Sequence, residues 1–335
     1  MSEIIKKQAP IVLAEIKKAN SILLHCHPSP DPDSVGSSLA MMLALEQLGK
    51  KVTLIQGDDE IPKAFAFPGV ERIVKKTFTE IDFKDFDLFL ILDSGGLNRV
   101  SVTPLVFPES LMTIVIDHHS SNQGFGKINL IEPTYKATAQ MLFDLFREIG
   151  VKIDHDIAAN LFIGIYTDTG GFRYTDGDPT VLKLAAELAV IAPDYAKIID
   201  TMENSRSKEA LVFEGMAITS MKSFFDGKLI IASVTYDELK KNNIKKSDVA
   251  GGNISNKFKS IEGVQVSAIL IEHEPGIVKM SLRGRDGASY NVAELAMRID
   301  AGGGGHKAAS GVRVSMTMPE AIDKVVKTAK ELYNL

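Results

Sequence analysis

The chain has 335 residues, 45% hydrophobic and 24% charged, the proportions of a globular protein with room for two ordinary domains. A formal net charge of −5 argues against a broad basic face that wraps long nucleic acid, but not against a short phosphate-bearing ligand held by a few arginines or a metal cluster. The apolar runs are too short to span a bilayer, the charged start MSEIIKKQAP lacks a signal-peptide core, and a lone cysteine, Cys26, excludes an internal disulfide framework, so a reducing, cytoplasmic setting is expected.

In chain order, SILLHC at 21–26 reads as a strand running into the loop HPSPDPD. Prolines stiffen that loop and remove backbone donors, so it can present His27, Asp31 and Asp33 to one point in space. SVGSSLAMMLALEQLG reads as an amphipathic helix closed by Gly49, and KVTLIQ as the next strand. DLFLILD and LMTIVID are continuous apolar runs, expected of strands buried on both faces of a parallel sheet. ATAQMLFDLFREIG, HDIAANLFIGIYTDTG and DGDPTVLKLAAELAVIAPD follow as helices, the last with Asp178 as N-cap and Pro179 at its first position.

A charged helical stretch follows Asp194, and beyond Gly227 the pattern restarts as a smaller α/β unit. KLIIASVTY, VQVSAILIE and GIVKMSLRG read as its strands, and a helix begins near NVAELAMRI with Asn291 and Glu294 as a capping pair. The expected architecture is α/β: a doubly wound parallel-sheet domain over 1–194, a helical connection over 195–227 and a smaller α/β domain over 228–335. A cleft between the two domains is expected to hold the substrate.

Acidic and histidine-bearing motifs cluster at carboxyl ends of strands, where α/β proteins place chemistry. They supply His27, Asp31 and Asp33, then Asp93, then Asp117, His118 and His119; Asp168 ends a later helix beside glycines. Each alone is commonplace, since a strand-end aspartate is often only a helix cap. His25 and Cys26 read as packing residues or, for His25, a support behind the ligands. Together the motifs make a carboxylate- and imidazole-rich site without thiolate, suited to manganese or magnesium better than to structural zinc. Asp31, Asp33, Asp93 and Asp168 carry more negative charge than one divalent ion balances. Two ions sharing a carboxylate do balance it, and paired ions are the arrangement of phosphoester hydrolysis.

H-x-x-x-D-x-D at 27–33, Asp93, the triplet Asp117-His118-His119 and Asp168 resemble the signature of the DHH phosphoesterase superfamily. DAGGGGHKAASG at 300–311 resembles the glycine-rich motif of the DHH-associated C-terminal domain, so the resemblance covers essentially the whole chain. Within the superfamily the chain is most similar to the bifunctional oligoribonuclease and pAp-phosphatase family, the nanoRNases. That resemblance implies that His27 and Asp31 bind one ion, that Asp33, His118 and Asp168 bind the other, and that Asp93 bridges them. It implies manganese ions, with magnesium or cobalt as substitutes. Asp117 would orient an imidazole and His119 would face the phosphate, completing a catalytic set of Asp93, Asp117, His118 and His119.

Substrate contacts are expected from Arg99 after the Asp93 strand, from Arg283, and from Gly303, Gly304, Gly305 and His306, whose backbone donors suit an anion. HKAAS after the glycines reads as a helix start that would favour phosphate. The expected substrates are short single-stranded oligonucleotides, dinucleotides or nucleoside bisphosphates such as pAp, with no duplex and no membrane, and a homodimer left open. Two other readings stand beside this one: a phosphodiesterase for cyclic di-AMP or its linear product, and a nucleotide-sensing module without catalysis.

Overall fold

The amino-terminal stretch, assigned no element above, folds as α1 (Glu3–Lys18), because Ile5, Ala9, Val12 and Ile16 recur every three or four residues and bury one face. The computed structural model describes residues 1–249 and 251–335, which separate into two units, Met1–Ser205 and Arg206–Leu335.

In the first unit α1 is followed by β1 (Ser21–His25), α2 (Pro32–Gln47), β2 (Lys51–Ile55), β3 (Leu88–Leu92), the one-turn α3 (Leu97–Val100), β4 (Met112–Asp117) and β5 (Ile128–Ile131). Helices α4 (Thr138–Ile149), α5 (His155–Asp168), α6 (Pro179–Ile191) and α7 (Tyr195–Asn204) complete it. The five strands pair in parallel in the order β2-β1-β3-β4-β5. The α/β class and the parallel sheet therefore agree with the sequence reading. After β1 the chain steps outward to β2, then returns past β1 to β3. Ligands of open α/β sheets bind outside the carboxyl ends at such a reversal. Here that point lies between His27, just beyond β1, and Asp93, just beyond β3.

One sheet face, with Ile22, Leu24, Leu90, Leu92, Ile114 and Ile116, joins the main core of this unit together with residues of α1, α2, α4, α5 and α6. The other face, with Leu23, Phe89, Ile91 and Val115, is covered by aromatic residues from connecting segments, including Phe78, Phe83 and Phe107. Two glycines allow α2 and α5 to pack closely. A Cβ on Gly36 would stand 2.5 Å from the Asn160 carbonyl oxygen, and one on Gly164 would stand 2.6 Å from Asp33 Oδ1. Only glycine fits at that separation, and it brings Asp33 of α2 up to the helix that ends in Asp168.

The second unit comprises α8 (Lys208–Thr219), β6 (Lys222–Phe224), β7 (Leu229–Val234), α9 (Tyr236–Lys241), α10 (Gly251–Lys259), β8 (Val266–Glu274), β9 (Ile277–Gly284), α11 (Val292–Ile299), β10 (Gly304–His306), β11 (Ala309–Ser315) and α12 (Met318–Tyr333). Its six strands run in the order β10-β11-β9-β8-β7-β6, with β7 and β8 parallel and the other neighbours antiparallel. The stretch 195–227 thus holds α7, α8 and β6: Ile198, Ile199 and Met202 pack on the core of the first unit, Phe213 and Ala217 on that of the second. Among the described residues no helix is long and apolar enough to cross a membrane.

Two local expectations are corrected. The segment read as a helix start after the glycines is a hairpin, β10 turning at Lys307–Ala308 into β11. The reason is period-two patterning: Val312 and Val314 bury while Arg313 and Ser315 are exposed, and strand neighbours satisfy the backbone. Asn291 does cap α11 through its side chain, but Glu294 turns forward to Arg298 (2.7 Å) in place of closing a box.

Candidate metal centre

The loop after β1 is shorter than the sequence suggested, because α2 begins at Pro32 with Asp31 as its N-cap. Asp31 Oδ1 accepts from the Ser34 amide at 2.9 Å, which leaves Oδ2 facing His27 Nε2 at 3.3 Å. Asp33, in the first turn of α2, points inward. Its Oδ2 accepts from the Thr138 amide at 2.7 Å and its Oδ1 from the Ala139 amide at 3.0 Å. Helix α4 has Ala137 at its cap position, which offers no side-chain acceptor, and Asp33 supplies the missing one from another helix. The Thr138 hydroxyl donates to Asp93 Oδ1 at 3.0 Å, so the start of α4 ties together carboxylates from β3 and α2.

Asp93 is almost fully buried and takes a left-handed φ of 51°, uncommon for a non-glycine residue and of the kind that clusters at functional sites. Its two oxygens face opposite ways. Oδ2 lies 3.4 Å from His27 Nε2, while Oδ1 lies 3.6 Å from His118 Nε2. His118 Nε2 is in turn 3.1 Å from Asp168 Oδ2. The ligand atoms of His27, Asp31 and Asp93 lie within 4.8 Å of one another, and so do those of Asp33, His118 and Asp168.

Both imidazoles are oriented from behind. His27 Nδ1 sits 3.0 Å from the Pro28 carbonyl and His118 Nδ1 3.4 Å from the Tyr135 carbonyl. A carbonyl holding Nδ1–H leaves Nε2 as the ligand, a common support of metal-bound histidine. Thus the donor set fits two oxygen- and nitrogen-preferring ions, His27 and Asp31 on one side, Asp33, His118 and Asp168 on the other, with Asp93 between. The Asp31 and Asp168 side chains keep 47% and 31% of their surface, which leaves both groups open for an ion to enter.

The electrostatics follow from this crowding. Burial disfavours a charged His27, but the carboxylates of Asp31 and Asp93 outweigh it and push the imidazole up to about 10. His118 is likewise raised to about 10, with Asp168 and Asp93 overcoming its burial. Burial opposes ionisation of Asp93, yet the surrounding imidazoles hold its carboxyl below the usual range. Burial, with the negative charges of Asp93 and Asp168, raises Asp33 well above its ordinary value. Carboxylates that resist joint ionisation are what a bound divalent charge relieves.

Asp117 and His119 form a neighbouring pair. His119 Nδ1 is 2.7 Å from Asp117 Oδ1, and 3.8 Å from Asp93 Oδ1. Asn122 donates to Asp117 Oδ2 at 2.7 Å, holding that buried carboxylate. Arg99, exposed on α3, brings a guanidinium nitrogen within 3.4 Å of His27 Nε2. In the second unit, Arg283 on β9 lies opposite Ala309 on β11, which lies opposite His306 on β10, so the two chemistry-bearing residues share a row across three strands. Gly304 and Gly305 lie in β10, with Gly303 just before it. Arg283 Nε donates to Asn256 of α10 at 3.2 Å.

His25 plays neither ligand nor supporting role. It is fully buried between Phe78 and Phe89, and among the described residues neither ring nitrogen finds a hydrogen-bond partner of good geometry. Sequence reading missed Thr138, Asn122, Gly164 and the amides of α4. The one available signal was a helix, ATAQMLFDLFREI, beginning without a capping residue of its own.

Residues 21–165 match the DHH family N-terminal domain and residues 226–334 the DHHA1 domain. Over 323 residues the chain is 31% identical to the bifunctional oligoribonuclease and PAP phosphatase NrnA of Thermus thermophilus, covering 96% of this chain and 93% of that one. The Bacillus subtilis protein of the same name is 22% identical over 313 residues, 90% of this chain and 92% of its relative. Among solved structures, an exopolyphosphatase-related protein from Bacteroides fragilis superposes with a TM-score of 0.87 at 26% identity, covering 98% of this chain and 97% of that one.

Proposed function

Because this chain belongs to the DHH family of phosphoesterases, we propose that it hydrolyses short single-stranded oligonucleotides to mononucleotides and pAp to AMP. The observation that carries this reading is the pair of ligand groups sharing Asp93, one oxygen facing each group. His27 and Asp31 would hold one divalent ion, Asp33, His118 and Asp168 the second, with Asp93 common to both. The oxygen and imidazole donors favour manganese, with magnesium or cobalt as substitutes. Two such ions, when bound, stabilise the attacking and leaving oxygens of an in-line displacement at phosphorus.

The remaining residues act around that event. Asp117, held by Asn122, would fix the His119 ring through Nδ1 and leave its outer nitrogen for an incoming phosphate. Arg99 contributes a positive group beside His27 for a phosphate oxygen. Arg283, His306 and the backbone of Gly303, Gly304 and Gly305 take the nucleotide. The full ligand set weighs against a silent sensor, which has no need to keep a strained, buried Asp93.

A turnover panel of pAp, dinucleotides, a hexanucleotide and cyclic di-AMP, assayed with manganese and with chelator, tests the proposal. Hydrolysis of pAp and the linear oligonucleotides, abolished by chelation, is expected. Turnover confined to cyclic di-AMP, or undiminished by chelation in a metal-free sample, would contradict it.

A further inference from the structure

Three residues, Pro28, Ser29 and Pro30, separate His27 from Asp31. Proline has no backbone N–H, so Ser29 carries the only amide between the two ligand candidates. Both prolines are buried, while Ser29 is exposed and takes a left-handed φ of 56°. That conformation is unfavourable for a residue with a Cβ and persists where its surroundings hold it. The Ser29 amide donates to Asp59 Oδ2 at 2.8 Å.

Asp59 comes from the loop after β2. That strand pairs with β1, Ile55 opposite His25, and the Cys26 amide donates to the Ile55 carbonyl at 3.1 Å. Two residues on, Gly57 lies against the same stretch: at its φ of 75° a Cβ would stand 2.5 Å from the Cys26 carbonyl oxygen. Only glycine permits that approach, and it carries the following acidic residues past the exit of β1. Neighbouring aspartates then serve different segments. Asp58 accepts from the Ser101 hydroxyl at 2.8 Å and the Val102 amide at 2.6 Å, beyond the end of α3. Asp59 turns to Ser29, and Glu60 is exposed.

The Ser29 amide and the Pro28 carbonyl belong to one peptide group, planar and trans, so its N–H and C=O point in opposite directions. That carbonyl is the acceptor 3.0 Å from His27 Nδ1. One rigid unit is therefore gripped at both ends, by a carboxylate at its N–H and by an imidazole at its C=O. Linked hydrogen bonds polarise one another, and the Asp59 charge makes the Pro28 carbonyl a stronger acceptor. Metal-bound histidines are supported by carboxylates or by backbone carbonyls. Here a carboxylate acts through the carbonyl.

We propose that Asp59 is a positioning residue for the ion of the His27–Asp31 group: through the Pro28–Ser29 peptide it fixes the His27 ring with Nε2 turned to the ion. The proposal rests on the two-ion reading above and adds to it a residue that serves one ion and not the other. On the second side Asp33 and His118 have their own supports, the α4 amides and the Tyr135 carbonyl.

The test titrates manganese into chelator-stripped full-length protein by calorimetry, for the unmutated chain, Asp59→Ala, Asp59→Asn and Glu60→Gln. The last removes a like charge from the next residue and controls for general attraction of the ion. In Asp59→Ala one of the two equivalents should bind about tenfold more weakly or worse, the loss typical of a metal-bound histidine's support, while the other keeps its affinity. Asp59→Asn still offers an oxygen to the Ser29 amide and should recover most of that loss. In a His27→Ala background Asp59→Ala should change nothing further, because the two residues act on one ion in series. Both equivalents weakened alike, neither weakened, a Glu60→Gln loss as large as that of Asp59→Ala, or an additive loss on top of His27→Ala would each overturn the role. If the unmutated protein shows the selective manganese loss on mutation but hydrolyses no nucleotide, the functional reading fails and the positioning role stands. If it hydrolyses pAp and oligonucleotides while Asp59→Ala matches Glu60→Gln at both equivalents, the reverse holds.

Discussion

The metal-centre region of the first unit and the open sheet face of the second both gather charge, but they hold it in opposite ways. Around Asp93 every charged group is buried or cross-tied: Asp33 by two amides of α4, Asp93 by the Thr138 hydroxyl, His27 and His118 by backbone carbonyls, Asp117 by Asn122. On the second sheet strand register sets Arg283, Arg313 and His306 on one face, Arg283 bonded to Asn256 and Arg313 paired with Glu274, and all three stay half-buried or exposed. Low dielectric makes an unsupported charge expensive, so chemistry in the first unit demands a complete set of partners. Capture at a wet surface needs only correct spacing and complementary sign. The first arrangement should break abruptly under small steric changes, and the second should weaken by increments.

Gly164→Ala is the sharpest probe of the rigid side. The added methyl would meet Asp33 Oδ1 at 2.6 Å and the Ala139 methyl at 2.8 Å, and Asp33 has no freedom to move away while two amides hold it. Overpacking of this kind costs about 1–3 kcal/mol of stability. Displacing a carboxylate's supports typically costs 10–100-fold in metal affinity. Urea unfolding and manganese calorimetry on the variant read both effects, and unchanged metal affinity would show that Asp33 is not a ligand fixed by this packing.

On the softer side, Arg283→Ala and His306→Ala should each lower turnover of pAp and oligonucleotides by roughly ten- to a hundredfold, the worth of one charge-assisted hydrogen bond. Bis-p-nitrophenyl phosphate offers no nucleotide to capture and should lose only a few-fold. Equal losses on both substrates would place these residues at the reacting phosphate.

His25 should change stability and leave turnover alone. Buried with its ring among phenylalanines, it is lowered to about 3 from its ordinary 6.5, mainly by burial. The unfolded chain therefore binds a proton that the folded chain refuses between those values, and native stability falls as pH drops below 6.5. Between pH 7 and pH 5 this group should cost about 2 kcal/mol. His25→Leu should remove that part of the acid sensitivity, read as a smaller difference between urea midpoints at the two pH values. An unchanged difference would mean the ring is protonated or solvated in the native protein.

Much of the first unit was legible because its signals are local. Continuous apolar runs marked β3 and β4, the Asp178–Pro179 pair marked the start of α6, and strand ends pointed to His27, Asp93 and Asp117. What escaped was set by tertiary geometry. No local pattern reveals that Asp33 caps a helix more than a hundred residues away, or that Gly164 is small because a carboxylate passes beside it. In the second unit GGGGHKAAS carries both turn and helix cues, and only pairing of Gly304–His306 with Ala309–Gly311 decides for a hairpin.

The central claim is that one carboxylate, Asp93, serves two ions. Manganese titration of chelator-stripped protein by calorimetry, with metal content measured on the same samples, tests it directly for the unmutated chain and Asp93→Ala. Two equivalents per chain are predicted for the former, and none held stoichiometrically by the latter. Circular dichroism of the variant should be unchanged, because Asp93 lies beyond the end of β3 and outside the apolar core. A single equivalent in the unmutated protein, or one equivalent bound with undiminished affinity by the variant, would contradict the shared-carboxylate account.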